Sequence, residues 1–256
     1  MRRRFDRRHC FIAGPIEKIT IAGSEILAGK QKNSGRGQRE LKASVKSARG
    51  RTVSQVKWLQ RQLNDPFVKE AKLQGFRSRS AFKLIEIDNK FNLLKKGHNV
   101  LDLGCAPGGW CQVAAQKVSV KSSENLVVGL DLKSCEAIVG VKFVEIDFLD
   151  ETQFLEFENS IDKKFNVILS DMAPNSTGHK KTDNLQIMAL VEAASDFAIK
   201  YLKQDGCFVA KVLDAGPSPE IQRLFNKKFE KVINFKPKAS RSDSSERYLV
   251  AIGYKQ

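Results

Sequence analysis

"VLDLGCAPGGW", residues 100–110, runs from an apolar stretch into a glycine-rich turn, and helical spacing follows from Gly108 through Val118. Strand, glycine turn and helix form the opening unit of a doubly wound sheet. Glycines there let backbone come close to a ligand at the first switch point. The turn lacks the Gly-Lys-Ser/Thr ending that grips nucleoside triphosphates. The spacing of Gly104, Gly108 and Gly109 also departs from the Gly-x-Gly-x-x-Gly of dinucleotide enzymes. The turn implies a nucleotide-like ligand held without a phosphate grip.

Working outward, strands and helices alternate. Strand-like runs are "NVLDL" (99–103), "LVVGLDL" (126–132), "VKFVEID" (141–147), "FNVILSD" (165–171), "GCFVAKVL" (206–213), "KVINFKP" (231–237) and "RYLVAIGYK" (247–255). Helical runs cover 183–202 and 219–229, and helices precede the turn from Val53 to Phe91, with Asp65-Pro66 as a helix start. This pattern predicts an α/β, Rossmann-like fold: a mostly parallel seven-stranded sheet, helices on both faces, the site at the strands' carboxyl ends. Residues 1–52, rich in Lys, Arg, Gly and Ser, are expected to be a basic, flexible arm, with 53–256 as the folded domain.

Lys and Arg exceed Asp and Glu by 15 over 256 residues, and that field attracts polyanions, nucleic acid first. No apolar run nears the ~20 residues that span a bilayer, so a soluble protein with no membrane partner is expected. Five cysteines, none in a Cys-x-x-Cys pair, suit a reducing compartment and small core positions. They form no metal framework, and no metal is expected.

Asp131 ends the strand about 20 residues past the turn, where a carboxylate can accept two ribose hydroxyls, and Asp147 ends the next, placed for an adenine amine. Together with a turn lacking a phosphate grip, they suit S-adenosylmethionine better than NAD. Either acid could equally cap or turn the chain. Asp171 in "SDMAPN" lies past the fourth strand, beside the reactive end of such a ligand. Its loop differs from the Asn-Pro-Pro-aromatic loop of amino-group methylases, which argues against base N-methylation. Lys211 sits within the apolar "FVAKVL", where a solvated lysine is out of pattern. Lys83 in "RSRSAFKL" and Glu246 in "SRSDSSERYLV" complete a set of charges.

These segments together resemble the FtsJ/RrmJ-type ribose 2′-O-methyltransferases from about Val53 onward, and within that family the branch acting on a uridine ribose of large-subunit (23S) ribosomal RNA. The resemblance implies a catalytic tetrad of Lys83, Asp171, Lys211 and Glu246. It also implies S-adenosylmethionine contacts at Gly108, Trp110, Asp131, Asp147 and Asp171. It implies ribosomal RNA or the large subunit as partner, a monomer, and the bacterial cytoplasm, with the mitochondrial matrix as the alternative. Lys211 would be the base, Asp171 orienting it, Lys83 and Glu246 tuning charge and binding ribose. Arg77, Arg79, Lys236, Lys238 and Arg241 would meet phosphates. Rival readings are a methylase of transfer RNA or another RNA, an NAD-dependent reductase and a non-catalytic RNA-binding assembly factor. The reductase reading does not account for the two strand-end lysines, and the intact tetrad speaks against the assembly factor.

Overall fold

Alternation along each central strand decides which core a side chain joins. In β1 (Val100–Leu103), Leu101 and Leu103 enter one apolar cluster and Val100 the other. In β4 (Phe165–Ser170), Ile168 faces the first and Val167 and Leu169 the second. Both faces are therefore covered, as expected of a mainly parallel sheet. The protein is described here from a computed structural model covering residues 43–45, 49–118, 127–161, 163–174, 178–213 and 216–256. Of the expected basic arm, residues 1–42 and 46–48 lie outside these. The compact unit runs Ala43–Gln256.

The remaining strands are β2 (Val127–Asp131), β3 (Val141–Glu145), β5 (Leu202–Val212), β6 (Phe229–Phe235) and β7 (Arg247–Tyr254). The sheet order is β3-β2-β1-β4-β5-β7-β6. The first five strands are parallel; β7 runs antiparallel to both β5 and β6. Strand order reverses between β1 and β4, so a crevice opens at their carboxyl ends.

Helices α1 (Val53–Leu63), α2 (Pro66–Leu73) and α3 (Ala81–Phe91) precede the sheet. Asp65 caps α2 through Phe67 N–H with Pro66 in the first turn, the helix start that the Asp-Pro pair predicts. Helices α3 and α4 (Gly109–Val118) pack on one face; α6 (Lys180–Tyr201) and α7 (Pro219–Lys228) cover the other. Sequence reading missed α5 (Glu151–Ser160), although Asp150 caps it by accepting from Thr152 and Gln153 N–H. The apolar stripe of α5 is short, with Phe157 its one buried residue, and gives little periodicity to read. Strand β5 also starts four residues earlier than expected, at Leu202, because a bulge opposite Phe165 and Val167 and a left-handed Asp205 (φ 61°) let the chain turn while staying paired. No helix among the described residues is long and apolar enough to cross a membrane.

Candidate active site

The glycine turn is held from three sides. Gly104 and Cys105 N–H donate to Leu130 O at 2.8 and 3.0 Å, and Ala106 N–H donates to Asp131 Oδ2 at 2.8 Å. The Arg77 guanidinium donates to the carbonyls of Pro107, Glu136 and Ala137 and so clamps the turn to the loop after β2. Gly104 has φ 74°, and a Cβ there would lie 2.6 Å from Met172 Cγ and 2.9 Å from Met172 Cα. A Cβ on Gly109 would strike Ser78 Oγ. At Gly104 the obstacle is backbone, so glycine is required there; at Gly109 it is a hydroxyl that would have to rotate away.

Asp131 accepts from Lys133 N–H at 2.9 Å as well as from Ala106, and Asp147 accepts from Leu149 N–H at 2.9 Å. Both acids therefore fix turns, the alternative role expected of them. An ionised carboxylate has about four acceptor positions, so each keeps capacity for a ligand. Trp110 is buried, its indole N–H donating to Ser80 O at 2.7 Å and its ring 5.6 Å from that of Tyr248. Among the described residues no cluster of three or more His, Cys, Asp or Glu could hold a metal.

Across the crevice, residues from four distant segments meet. Lys211 and Tyr248 are directly paired in the antiparallel β5/β7 register, so their side chains share a face. Lys211 Nζ lies 2.8 Å from Asp171 Oδ1 and donates to Asp171 O at 2.7 Å. Lys83 Nζ, from the first turn of α3, donates to Glu246 Oε2 at 2.8 Å. The cross pairs Lys83 to Asp171 and Lys211 to Glu246 measure 3.9 and 4.0 Å. The four side chains are only 11–16% exposed, so they form a charge-balanced ring with little solvent screening.

Two side chains that hold this ring escaped sequence reading. Tyr248 O–H donates to Asp171 Oδ1 at 2.7 Å, and Ser240 O–H donates to Glu246 Oε1 at 2.8 Å. The signal for Tyr248 was its place two residues past Glu246, at the start of an apolar strand-like run. Burial pushes the Asp171 carboxyl up, but Lys211, Lys83 and the bonds from Lys211 and Tyr248 outweigh it and hold the group below its ordinary value. Burial, with Asp171 and Glu246 close by, pushes the Tyr248 phenol well up, so it stays a donor.

Asp102, in mid-β1, is fully buried and accepts from the Cys111 thiol at 3.1 Å, while its Oδ1 has no partner among the described residues. Burial, opposed by the thiol bond and reinforced by Asp171 and Asp131, lifts its carboxyl to about 8. Between the ordinary carboxylate range near 4 and about 8, the folded state binds a proton that the unfolded state has lost, so stability falls as pH rises through that window. Asp102→Asn is expected to flatten this slope; urea melts at pH 5 and pH 8 that differ as much in the variant as in the parent would refute the assignment.

Of the residues expected to meet phosphates, four are engaged within the fold. Arg77 clamps the turn, Arg79 bonds Asp65 and the Ala239 carbonyl, Arg241 bonds Asp65, and Lys236 donates to Ser244 O. These side chains tie the rim of the site together, and only Lys238 stands exposed with no side-chain bond among the described residues. The cysteine expectation holds for Cys105, Cys111 and Cys207, which are buried; Cys135 is half-buried, and Cys10 lies outside the described residues.

The profile of the FtsJ-like methyltransferases matches residues 76–254, from the clamp Arg77 to the end of β7. The chain belongs to this family. Similar proteins include the ribosomal RNA large subunit methyltransferase E of Roseobacter denitrificans, 48% identical over 89% of this chain and 97% of that protein. That of Ruegeria pomeroyi is 50% identical over 87% and 97%. Among solved structures, a ribosomal RNA methyltransferase from Plasmodium falciparum superposes with a TM-score of 0.60 at 30% identity, covering 70% of this chain and 98% of its own. As an FtsJ-like methyltransferase, the chain sets its ring of charges beside the glycine turn, on the strand ends where the sheet changes direction.

Proposed function

We propose that this enzyme methylates the 2′-hydroxyl of a uridine ribose in large-subunit (23S) ribosomal RNA, with S-adenosylmethionine as donor and the assembled large subunit as substrate. The observation that carries the chemistry is the Lys-Asp-Lys-Glu ring at the switch point. The names of its relatives, which match this chain over nearly their full length, support the substrate. Its bacterial relatives support the bacterial cytoplasm as its place of action, and we propose that it acts there as a monomer.

The residues present fit S-adenosylmethionine. The turn lacks room for a Cβ at Gly104 or Gly109, the two strand-end acids retain acceptor capacity, and the nearby Arg77 is spent on carbonyls and offers no phosphate grip. Gly108 and the backbone N–H of Trp110, in the first turn of α4, would hold its amino-acid end, Asp131 its ribose hydroxyls and Asp147 its adenine amine. Asp171, at the end of β4, would border its reactive end. When bound, it supplies an electrophilic methyl group on a sulfonium.

Lys211 takes the proton from the ribose hydroxyl. The acceptors for the resulting ammonium are already in place, with Asp171 O and Oδ1 at 2.7 and 2.8 Å, so proton uptake needs little rearrangement. Lys83 and Glu246 position the ribose, and Ser240 and Tyr248 hold the two carboxylates in orientation. Residues 53–256 carry the reaction, and the basic stretch before them adds attraction for RNA.

The test is methyl transfer from labelled S-adenosylmethionine to large subunits from a strain lacking the equivalent methylase, mapped by cleavage that ribose methylation blocks. Label at one uridine ribose is expected. Label on transfer RNA instead would overturn the substrate; no transfer to any RNA would overturn the activity.

A further inference from the structure

Trp58 is 52% exposed, the one aromatic among the large apolar side chains left exposed in the described residues. A tryptophan in water forgoes a large burial gain, and its ring is a surface on which a base can stack. Helix α1 is capped by a Thr52–Gln55 capping box, so its surface is stably presented. On it, Val53, Ser54, Lys57, Trp58 and Arg61 are all exposed, and at 3.6 residues per turn they fill one arc of about 140°. The helix contains no carboxylate, and Lys57 and Arg61 form no ion pair among the described residues. Arg49, just before it, is exposed too.

The base of α1 adjoins the tetrad. It ends at Leu63 with Asn64 as its C-cap, and the next residue, Asp65, bonds Arg79 at 2.9 Å and Arg241 at 3.3 Å. Arg79 lies one turn before Lys83, and Arg241 follows Ser240, which holds Glu246. Trp58 stands seven residues from Asp65, about 10 Å along the helix.

We infer that this face of α1 is a second RNA site, in which an unpaired base of the substrate strand stacks on Trp58 while Lys57 and Arg61 take the flanking phosphates. It rests on the RNA reading above and extends it: the recognised strand is single and runs from the tetrad onto α1. Charge complementarity favours RNA over a protein partner, because a purely apolar partner would leave two unpaired cations in its interface.

The test uses the full chain, a short single-stranded uridine-rich RNA and a blunt duplex of the same length, with anisotropy of the labelled RNA and tryptophan emission as readouts. The single strand should quench emission and the duplex should not. Trp58→Ala should weaken single-strand binding roughly five- to a hundredfold, and Trp58→Phe should restore most of it. Lys57→Gln with Arg61→Gln should lower the slope of log affinity against log salt by about 1.4. With large-subunit substrate, Trp58→Ala should raise KM and leave kcat and S-adenosylmethionine affinity unchanged. Unchanged affinity in Trp58→Ala would overturn the site, and so would full rescue by Trp58→Leu. A defect seen with assembled subunits but not with naked RNA would assign the face to a protein and overturn it as well. If the parent binds the single strand through Trp58 yet methylates no RNA, the activity fails and this site stands.

Discussion

Lys211→Ala is expected to slow methyl transfer by at least ~10²–10⁴-fold, the usual range for a lost general base, with affinity for S-adenosylmethionine unchanged. The site explains why the loss would fall on kcat. Lys211 touches Asp171 through both the main-chain and a side-chain oxygen and does not reach the glycine turn that would hold the cofactor. Single-turnover rates with pre-bound RNA measure the effect directly. Removing the ammonium also leaves Asp171 with Tyr248 at 2.7 Å and a more distant Lys83 at 3.9 Å, so its carboxyl should rise and the fold should lose some stability. Lys211→Arg separates base from counterion. A guanidinium keeps the charge but cannot give up its proton near neutrality. If Lys211→Arg retained full turnover, proton abstraction at this position would be wrong and the residue would only position the ribose.

Gly104→Ala is the second large effect expected, this time on the fold and on cofactor binding together. The left-handed φ of 74° costs an alanine roughly 1–2 kcal/mol. The added methyl would also sit 2.9 Å from the Met172 Cα, backbone that cannot swing away as a side chain could. Overpacking of this kind costs roughly 1–3 kcal/mol more. The two sum to about 2–5 kcal/mol, unless the loop after β4 shifts and carries Asp171 with it. Urea denaturation reads the first outcome and calorimetric titration of S-adenosylmethionine the second. A variant normal in both would show that this close approach of β1 and β4 has no bearing on the site.

The parts of the fold that sequence patterning reveals are those where one rule acts alone. Strands β1, β2 and β4 are apolar runs ended by Gly or Asp, and each was legible to within a residue or two. Helix α5 was not, because its stripe rests on Phe157 with little else. The start of β5 was not, because a bulge and a left-handed Asp205 override helix propensity over residues 202–205. At the site, the tetrad was legible as motifs, and the structure brings its four members together. Tyr248 and Ser240 were not, since a tyrosine in an apolar strand and a serine in a polar loop look alike whether or not they hold a carboxylate. The internal partner of the rim arginines was not legible for a related reason. Composition reveals a cation, but Asp65, which occupies two of them, is distant in sequence, 176 residues from Arg241.

The antiparallel strand β7 has a consequence for the order in which the enzyme matures. Of the described strands it comes last in the sequence, yet it lies between β5 and β6, which are made before it. Until it arrives, β5 offers an open edge, Lys211 has no facing tyrosine, and Lys83 waits for a carboxylate encoded 163 residues later. The ring of charges and the core beneath it are therefore completed together, by one strand that also sets Tyr248 against Trp110.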